Sequence, residues 1–461
     1  MSPSPQQSTD VPTDELRSEF DGELITPQDG AYDEARRVFF KGIDRRPLAV
    51  ARVAGAEDVA RVVTAARETG LELAVRSGGH SRAGYGTCDG GLVIDLSGMN
   101  SIEIDDEGRS AWVGTGATAA QYTVATGERG RVTGLGDAGS VGIGGITLAG
   151  GIGFLTRKNG LTIDDLLSAE VVTADGDVIQ VSEESEPDLF WAIRGGESNF
   201  GGATRLQLGL HEISEIVGGM LILPATPETI TGFLEAADAA PEELSTIANI
   251  MIAPPMPFVP EAAHGKPVVM GLMAYVGPPD QADDVLAPFR GLAEPLADML
   301  RPMRYPELYE GPEPEPQLAA GSNFFCDSLE PAAAAGILEW LPKSTAPMRA
   351  VQIRVLGGAL ARVPNDATAF AHRDRRVFIN VAAMYTNSGE MDTHDAWVND
   401  LADSLGRNGA GGYVGFMGEE DEETLRAAYP GGTWERLRGL KRRYDPDNLF
   451  HLNHNIPPAD S

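Results

Sequence analysis

Two glycine clusters hold the residue types most able to do chemistry in this chain. The first reads Arg76-Ser77-Gly78-Gly79-His80-Ser81 and runs on to Gly84-Tyr85-Gly86. The second reads Val141-Gly142-Ile143-Gly144-Gly145 and continues to Gly150-Gly151-Ile152-Gly153. Successive glycines carry no Cβ and reach positive φ, so their backbone N–H groups can converge on a pyrophosphate. That favours a nucleotide cofactor. A Rossmann-type reading of the second cluster needs a strand just before it and an acidic residue about 20 positions further on. Asp164 and Asp165 meet the spacing, but residues 134–139 do not read as a strand, so that reading is rejected. Tight turns alone are the other use of such glycines, and the recurrence of a second cluster weakens it. His80, taken alone, suits a turn or a hydrogen bond as readily as a chemical role.

Other candidates are sparser. Gln352 and Arg354 are polar positions in the apolar run 351–355, and period two puts both on one face of a strand. Buried there they need partners, which a substrate or a structural hydrogen-bond network would supply equally well. Tyr413 and Phe416 lie three apart in the run Tyr413-Val414-Gly415-Phe416-Met417, so on a strand they are expected on opposite faces. No metal site is expected: His451 and His454 lie three apart in an extended tail with no carboxylate to complete a ligand set. Gly-x-Ser-x-Gly is absent, which removes the esterase reading.

The elements that must position these groups alternate strand and helix. Strands are expected over 48–53, 73–76, 92–96, 111–113, 169–173 and 177–181, with Asp175-Gly176 turning a hairpin between the last two. Helices are expected over 56–68, where Val59, Val62, Val63 and Ala66 share a face, and over 118–126. Beyond about residue 213 a helix over 227–239 starts at Thr226 as cap and Pro227 in the first turn. Extended runs at 268–276, 351–355 and 377–385 alternate with helices over 281–299, 331–341 and 392–405. A last helix covers 434–443, residues 1–16 form a loose lead-in, and proline-rich connectors lie at 253–260 and 311–317.

The composition sets outer bounds. At 461 residues the chain is long enough for two domains, and 42% hydrophobic with 23% charged is a soluble globular balance. Against 36 Lys+Arg stand 68 Asp+Glu, a net charge of −32 that repels phosphate backbones and anionic lipid. Nucleic-acid and membrane partners are therefore not expected. No apolar run reaches a membrane span, and the polar N-terminus lacks a signal pattern, so a cytoplasmic location is expected. Cys88 and Cys326 are too few for a disulfide framework.

The motifs, taken together, resemble the berberine-bridge-enzyme-like branch of the vanillyl-alcohol-oxidase superfamily, whose FAD domain is of the PCMH type. The resemblance rests on 75–81, on the second glycine cluster, and on Phe190-Trp191-Ala192-Ile193-Arg194-Gly195-Gly196 with Asn199-Phe200-Gly201. It continues through Gly357-Gly358-Ala359, Arg362-Val363-Pro364, Ala369-Phe370-Ala371-His372-Arg373 and the ending Tyr444-Asp445-Pro446-Asp447-Asn448-Leu449-Phe450 with Asn453-His454-Asn455-Ile456. It implies an α+β chain: a two-part FAD-binding domain over 17–213 and 424–461, and an α+β substrate domain over 214–423 whose antiparallel sheet is covered by helices. It implies an FAD-linked oxidase, a flavoprotein passing hydride from an alcohol or amine carbon of a small molecule to flavin N5, with O2 reoxidation giving H2O2. FAD is expected on Arg76, Ser77, Gly78, Gly79, Ser81, Gly84, Val141, Gly142, Gly144, Gly145, Gly150, Gly153, Asn453 and Asn455, and covalently on His80. Relatives with a second, cysteinyl tether carry it where this chain has Ala138, so one attachment is expected. Val141 stands where relatives gate oxygen, although a β-branched core residue would look the same. Gln352, Arg354 and Tyr413 are the catalytic candidates, because Phe416 replaces the tyrosine base of sugar-oxidising relatives. An amine substrate fits a site without that base; a carbohydrate oxidase and a flavin carrier without turnover are the alternatives. No oligomeric state follows.

Only five of the cations are lysine, which suits a hydrated, salt-adapted surface or an Arg-rich genome. On the salt-adapted reading the unfolding midpoint rises with salt concentration; a flat or falling curve contradicts it.

Overall fold

The structure, a computed structural model, describes residues 13–18, 20–213, 215–310, 317–407 and 409–460. Most of the expected N-terminal lead-in, and the connector at 311–316, lie outside the described residues. The chain is α+β, and its described residues build three main sheets and a two-stranded ribbon of Arg131–Val132 with His211–Glu212.

The first sheet has four strands in the order Glu23–Ile25, Ala49–Arg52, Leu92–Asp95, Leu73–Arg76. The last three are parallel, and helix Ala56–Thr69 covers them with Val59, Val62, Val63 and Ala66 buried, as the period of the sequence requires. A left-handed Gly70 ends that helix. The strand Leu73–Arg76 delivers the chain straight into the first glycine cluster.

The second sheet is antiparallel and five-stranded, ordered Ile102–Ile104, Ser110–Gly114, Gly202–Gly209, Leu166–Val172, Val178–Ser182. Its last pair forms the expected hairpin at Gly176, whose φ is +84°. Helices Ala119–Gly127, Ile143–Ala149, Pro187–Ile193 and Thr433–Tyr444 pack into one core with it. The second glycine cluster opens helix Ile143–Ala149.

The third sheet has eight antiparallel strands, with Ile216–Pro224, Pro267–Tyr275, Leu244–Ile252, Met348–Val355, Val377–Tyr385 and Leu318–Cys326 as its main body. Helices Pro227–Ala239, Ala282–Arg290, Pro331–Trp340 and Met391–Ser404 cover one face. Thr226 caps the first of them through its side chain, which accepts from Thr229 N–H. The other face is turned to the rest of the molecule.

Two expectations fail here. The helix expected over 281–299 stops at Arg290; Gly291 follows, and residues 297–298 and 301–303 instead lie along the edge of the third sheet. Residues 413–417 are not a strand. Val414–Phe416 is a 3-10 turn closed by Phe416 N–H to Tyr413 C=O at 3.0 Å. With an i to i+3 repeat, Tyr413 and Phe416 fall on the same side, and their rings sit 5.6 Å apart.

The C-terminal segment is pinned by a buried charge pair. Lys441 and Asp445 side chains are both fully buried, with Nζ 2.7 Å from Oδ2. Nζ also donates to Asn199 C=O at 2.6 Å and Phe450 C=O at 2.8 Å, while Asp445 accepts from Leu449 and Phe450 N–H. Removing one partner strands the other charge. Lys441→Met is expected to cost about 3–5 kcal/mol, read as a lower unfolding midpoint, with partial recovery in the Lys441→Met/Asp445→Asn double variant. An unchanged midpoint contradicts this.

Candidate functional site

Where the three sheets meet, a cavity of ≈ 350 Å³ runs between the two glycine clusters, the C-terminal segment and the open face of the third sheet. Ligand sites of that size are ordinary for small molecules and cofactors. The clusters approach backbone to backbone. A Cβ on Gly78 would lie 2.3 Å from Gly142 N, and one on Gly142 would lie 2.1 Å from Gly78 N. Only glycine fits at either place. Gly145, by contrast, has open space where its Cβ would point.

The structure sorts the residues expected to hold a cofactor. Arg76, Ser77, Gly78, Gly79, His80 and Ser81 all line the cavity, as do Val141, Gly142, Gly144, Gly145 and Asn453. Gly84, Gly150, Gly153 and Asn455 do not. A Cβ on Gly153 would lie 1.5 Å from Leu135 C=O, so that glycine permits close packing rather than ligand contact. Arg76 also has a structural load: it pairs with Asp95 at 3.1 Å and donates to the Arg37 carbonyl. The cavity fits a group rich in polar atoms, because the Asn453 Oδ1 is buried on its wall with no partner.

His80 is stacked on Phe39, ring centroids 4.0 Å apart. Burial pulls its pKa down to about 4, against the opposing effect of a backbone hydrogen bond at Ser140. The imidazole is therefore neutral and keeps one nitrogen lone pair, as a nucleophile requires. Neither Cys88 nor Cys326 lines the cavity.

The catalytic candidates separate. Tyr413 and Phe416 line the cavity side by side. The Tyr413 hydroxyl accepts from Gly151 N–H at 2.8 Å, and burial pushes its pKa up to about 12. Gln352 and Arg354 share a face as expected, yet neither lines the cavity. Arg354 is buried and saturated, donating to Ile152 C=O at 2.9 Å, to Gln352 Oε1 and to Asp137 Oδ2 at 2.8 Å. It also underlies the Phe416 ring at 5.3 Å. Arg354 acts on the cavity through Asp137 and Phe416, which do line it.

Three features of the wall were missed in the sequence. Asp137 follows a glycine-rich stretch with no pattern to mark it. Asn380 is a lone polar residue in the apolar strand Val377–Tyr385, the same signal that marked Gln352. Register aligns Asn249, Gln352, Asn380 and Asn323 directly across four neighbouring strands, a polar row facing the cavity side. The third is the pair His454 and Glu197. His454 Nδ1 lies 2.9 Å from Glu197 Oε2 and Nε2 lies 3.0 Å from Gly418 C=O. Both partners offer acceptor oxygens, which favours a ring with hydrogen on both nitrogens. Burial pulls its pKa down, but Glu197, the Gly418 carbonyl and Glu420 together leave it raised. Glu197 itself is held at φ +56°, a strained choice for a side-chain-bearing residue.

A raised histidine pKa contributes stability in full below the unfolded value of about 6.5 and loses it as pH rises through the folded value. The urea midpoint is expected to fall over that window beyond any general trend, and His454→Gln is expected to abolish the extra fall. Parallel pH profiles for the two proteins contradict it.

A model described as an FAD binding domain matches residues 47–182, and one described as berberine and berberine like matches 412–457. The (R)-6-hydroxynicotine oxidase of Paenarthrobacter nicotinovorans is 31% identical over 453 residues, covering 95% of this chain and 97% of that protein. The crystal structure of 6-hydroxy-D-nicotine oxidase from Arthrobacter nicotinovorans superposes with a TM-score of 0.84 at 29% identity, covering 95% and 98% of the two chains. The glucooligosaccharide oxidase of Acremonium strictum, which bears a 6-S-cysteinyl, 8α-N1-histidyl FAD, shares the fold at TM-score 0.84 and 24% identity, covering 97% of this chain and 100% of its own.

Proposed function

The chain belongs to the berberine-bridge-enzyme-like branch of the vanillyl-alcohol-oxidase superfamily of FAD-linked oxidases, and from that premise we propose that it dehydrogenates an amine or alcohol carbon of a small molecule, on FAD attached once, through His80. The observation that carries this reading is His80 on the wall of a glycine-lined cavity, with no cysteine among the described residues of that wall and with burial pulling the imidazole pKa down to about 4. Bound there, FAD would supply the two-electron acceptor and, on meeting O2, the route to H2O2.

The residues divide the work. The glycine loops, with Ser77 and Asn453, hold the cofactor, in a domain formed by 17–213 and 424–461. The substrate domain, 214–423, contributes the open face of the third sheet. Val141 is small enough beside the cavity to leave O2 a path. Asp137, aimed by Arg354 at 2.8 Å, accepts the proton from a substrate N–H or O–H. Tyr413 stays protonated, with a pKa pushed up to about 12, and serves as a hydrogen-bonding wall rather than a base. With Phe416 where a base would be useful to sugar oxidation, amine substrates are favoured, since a neutral amine yields hydride without prior loss of a hydroxyl proton.

Acid-precipitated holoprotein is expected to stay yellow, and one flavin-bearing peptide containing His80 is expected by mass spectrometry. His80→Ala should release its flavin into the acid supernatant. A cysteinyl adduct, or free flavin from the wild type, contradicts single attachment.

A further inference from the structure

We infer that Arg82 anchors a carboxylate on the molecule oxidised in this cavity, so that the substrate class is a small amine or alcohol that also bears an acid group. This deepens the oxidase reading above and rests on it.

Arg82 follows His80 by two residues and lines the same cavity. Its guanidinium lies in a slot made by two glycines. A Cβ on Gly321, in strand Leu318–Cys326, would lie 1.5 Å from Nη1; one on Gly418 would lie 3.4 Å from Nη2. Other arginines around the cavity are fully engaged: Arg76 with Asp95, Arg354 with Asp137, and Arg45 with the carbonyls of Ala83, Gly84 and Thr87. Arg82 differs. Among the described residues no acceptor hydrogen-bonds to it and no carboxylate forms an ion pair with it. Glu420 and Asp395 act on it only through space, and burial outweighs them, pulling its pKa down. A guanidinium offers five N–H donors in a planar fork that matches a carboxylate, and the half-buried Arg82 presents that fork to the cavity with none of its donors taken by the protein among the described residues.

Asn380 is a second, independent pointer. It is 9% exposed, lines the cavity, and its Oδ1 is sealed from solvent without a hydrogen bond. No hydrogen bond engages its amide among the described residues. Gly321 pairs with Ala382 across the strands, so Asn380 sits one diagonal away on the same face, a spacing of about 7–8 Å. The floor between them is Ala382, with no side chain large enough to fill the gap. A molecule fixed by its carboxylate on Arg82 would lie over this floor and reach Asn380 with a second polar atom.

The test titrates the flavin-loaded protein with benzoate and its neutral isostere benzamide, following the visible flavin spectrum. Benzoate is expected to bind about ten- to a hundred-fold more tightly, the range a charge-assisted contact gives. Arg82→Met should remove that preference at unchanged flavin content, and Arg82→Lys should restore part of it. Should Arg82→Met fail to fold, Gly321→Ala displaces the guanidinium by filling its slot and should erase the preference in the same way. Equal binding of the two probes by the wild type, or a benzoate preference that survives both Arg82→Met and Gly321→Ala, overturns the inference. A benzoate preference in a protein whose flavin no amine or alcohol reduces would keep the anion site and remove the oxidase reading instead.

Discussion

The site depends on one close approach, that of the Gly78 and Gly142 backbones. With no Cβ on either, the loop leaving the parallel sheet and the loop entering helix Ile143–Ala149 can touch. The contact is reinforced around its rim. Ser77 Oγ donates to Thr115 C=O, Ile143 N–H donates to Ala117 C=O at 2.9 Å, and Ala119 N–H donates to Val141 C=O at 2.9 Å. The capping box of Thr118 and Gln121 fixes the helix that supplies those carbonyls' neighbourhood. His80 and Val141 therefore face one cavity from two separate loops, although 60 residues lie between them in the chain.

The remaining walls are closed by charges that have been taken out of water and matched. Lys441 ties helix Thr433–Tyr444 to Asn199 and Phe450, which brings Asn453 and His454 onto the cavity. His454 then meets Glu197 from the loop that follows helix Pro187–Ile193. Arg354 meets Asp137 across the boundary between the third sheet and the second glycine cluster. The His454–Glu197 and Arg354–Asp137 pairs join segments far apart in sequence, and each leaves a carboxylate at the wall. Buried pairs of this kind add little net stability but penalise any arrangement that separates them. That is how a cavity between three sheets keeps one shape.

Much of this was legible in the residues. The 3.6-residue pattern of 56–68, the Thr226-Pro227 start and the Asp175-Gly176 turn are local signals, and the structure follows them because nothing tertiary opposes them. The glycine clusters were legible for the same reason, as was the polar face carrying Gln352 and Arg354. What stayed hidden depended on register or on a turn. The row Asn249, Gln352, Asn380, Asn323 exists only because four strands align, which no single strand records. Residues 413–417 look extended, but Tyr413 N–H is taken by the Asn323 side chain and the chain tightens into a 3-10 turn. That turn brings Tyr413 beside Phe416, where alternation would have parted them. The strands Ile216–Pro224, Leu244–Ile252 and Leu318–Cys326 are buried along most of their length and lack the alternation that would announce them.

If, as proposed, this cavity carries out two-electron oxidation without the tyrosine base of sugar oxidases, anaerobic stopped-flow reduction reveals it. The loaded protein is mixed with matched primary amines, alcohols and oligosaccharides, and the flavin absorbance is followed before oxygen is admitted. An amine is expected to bleach the flavin rapidly, oligosaccharides are not, and oxygen should restore the colour with one H2O2 per flavin. Bleaching by oligosaccharides alone, or by nothing in the panel, would contradict that proposal.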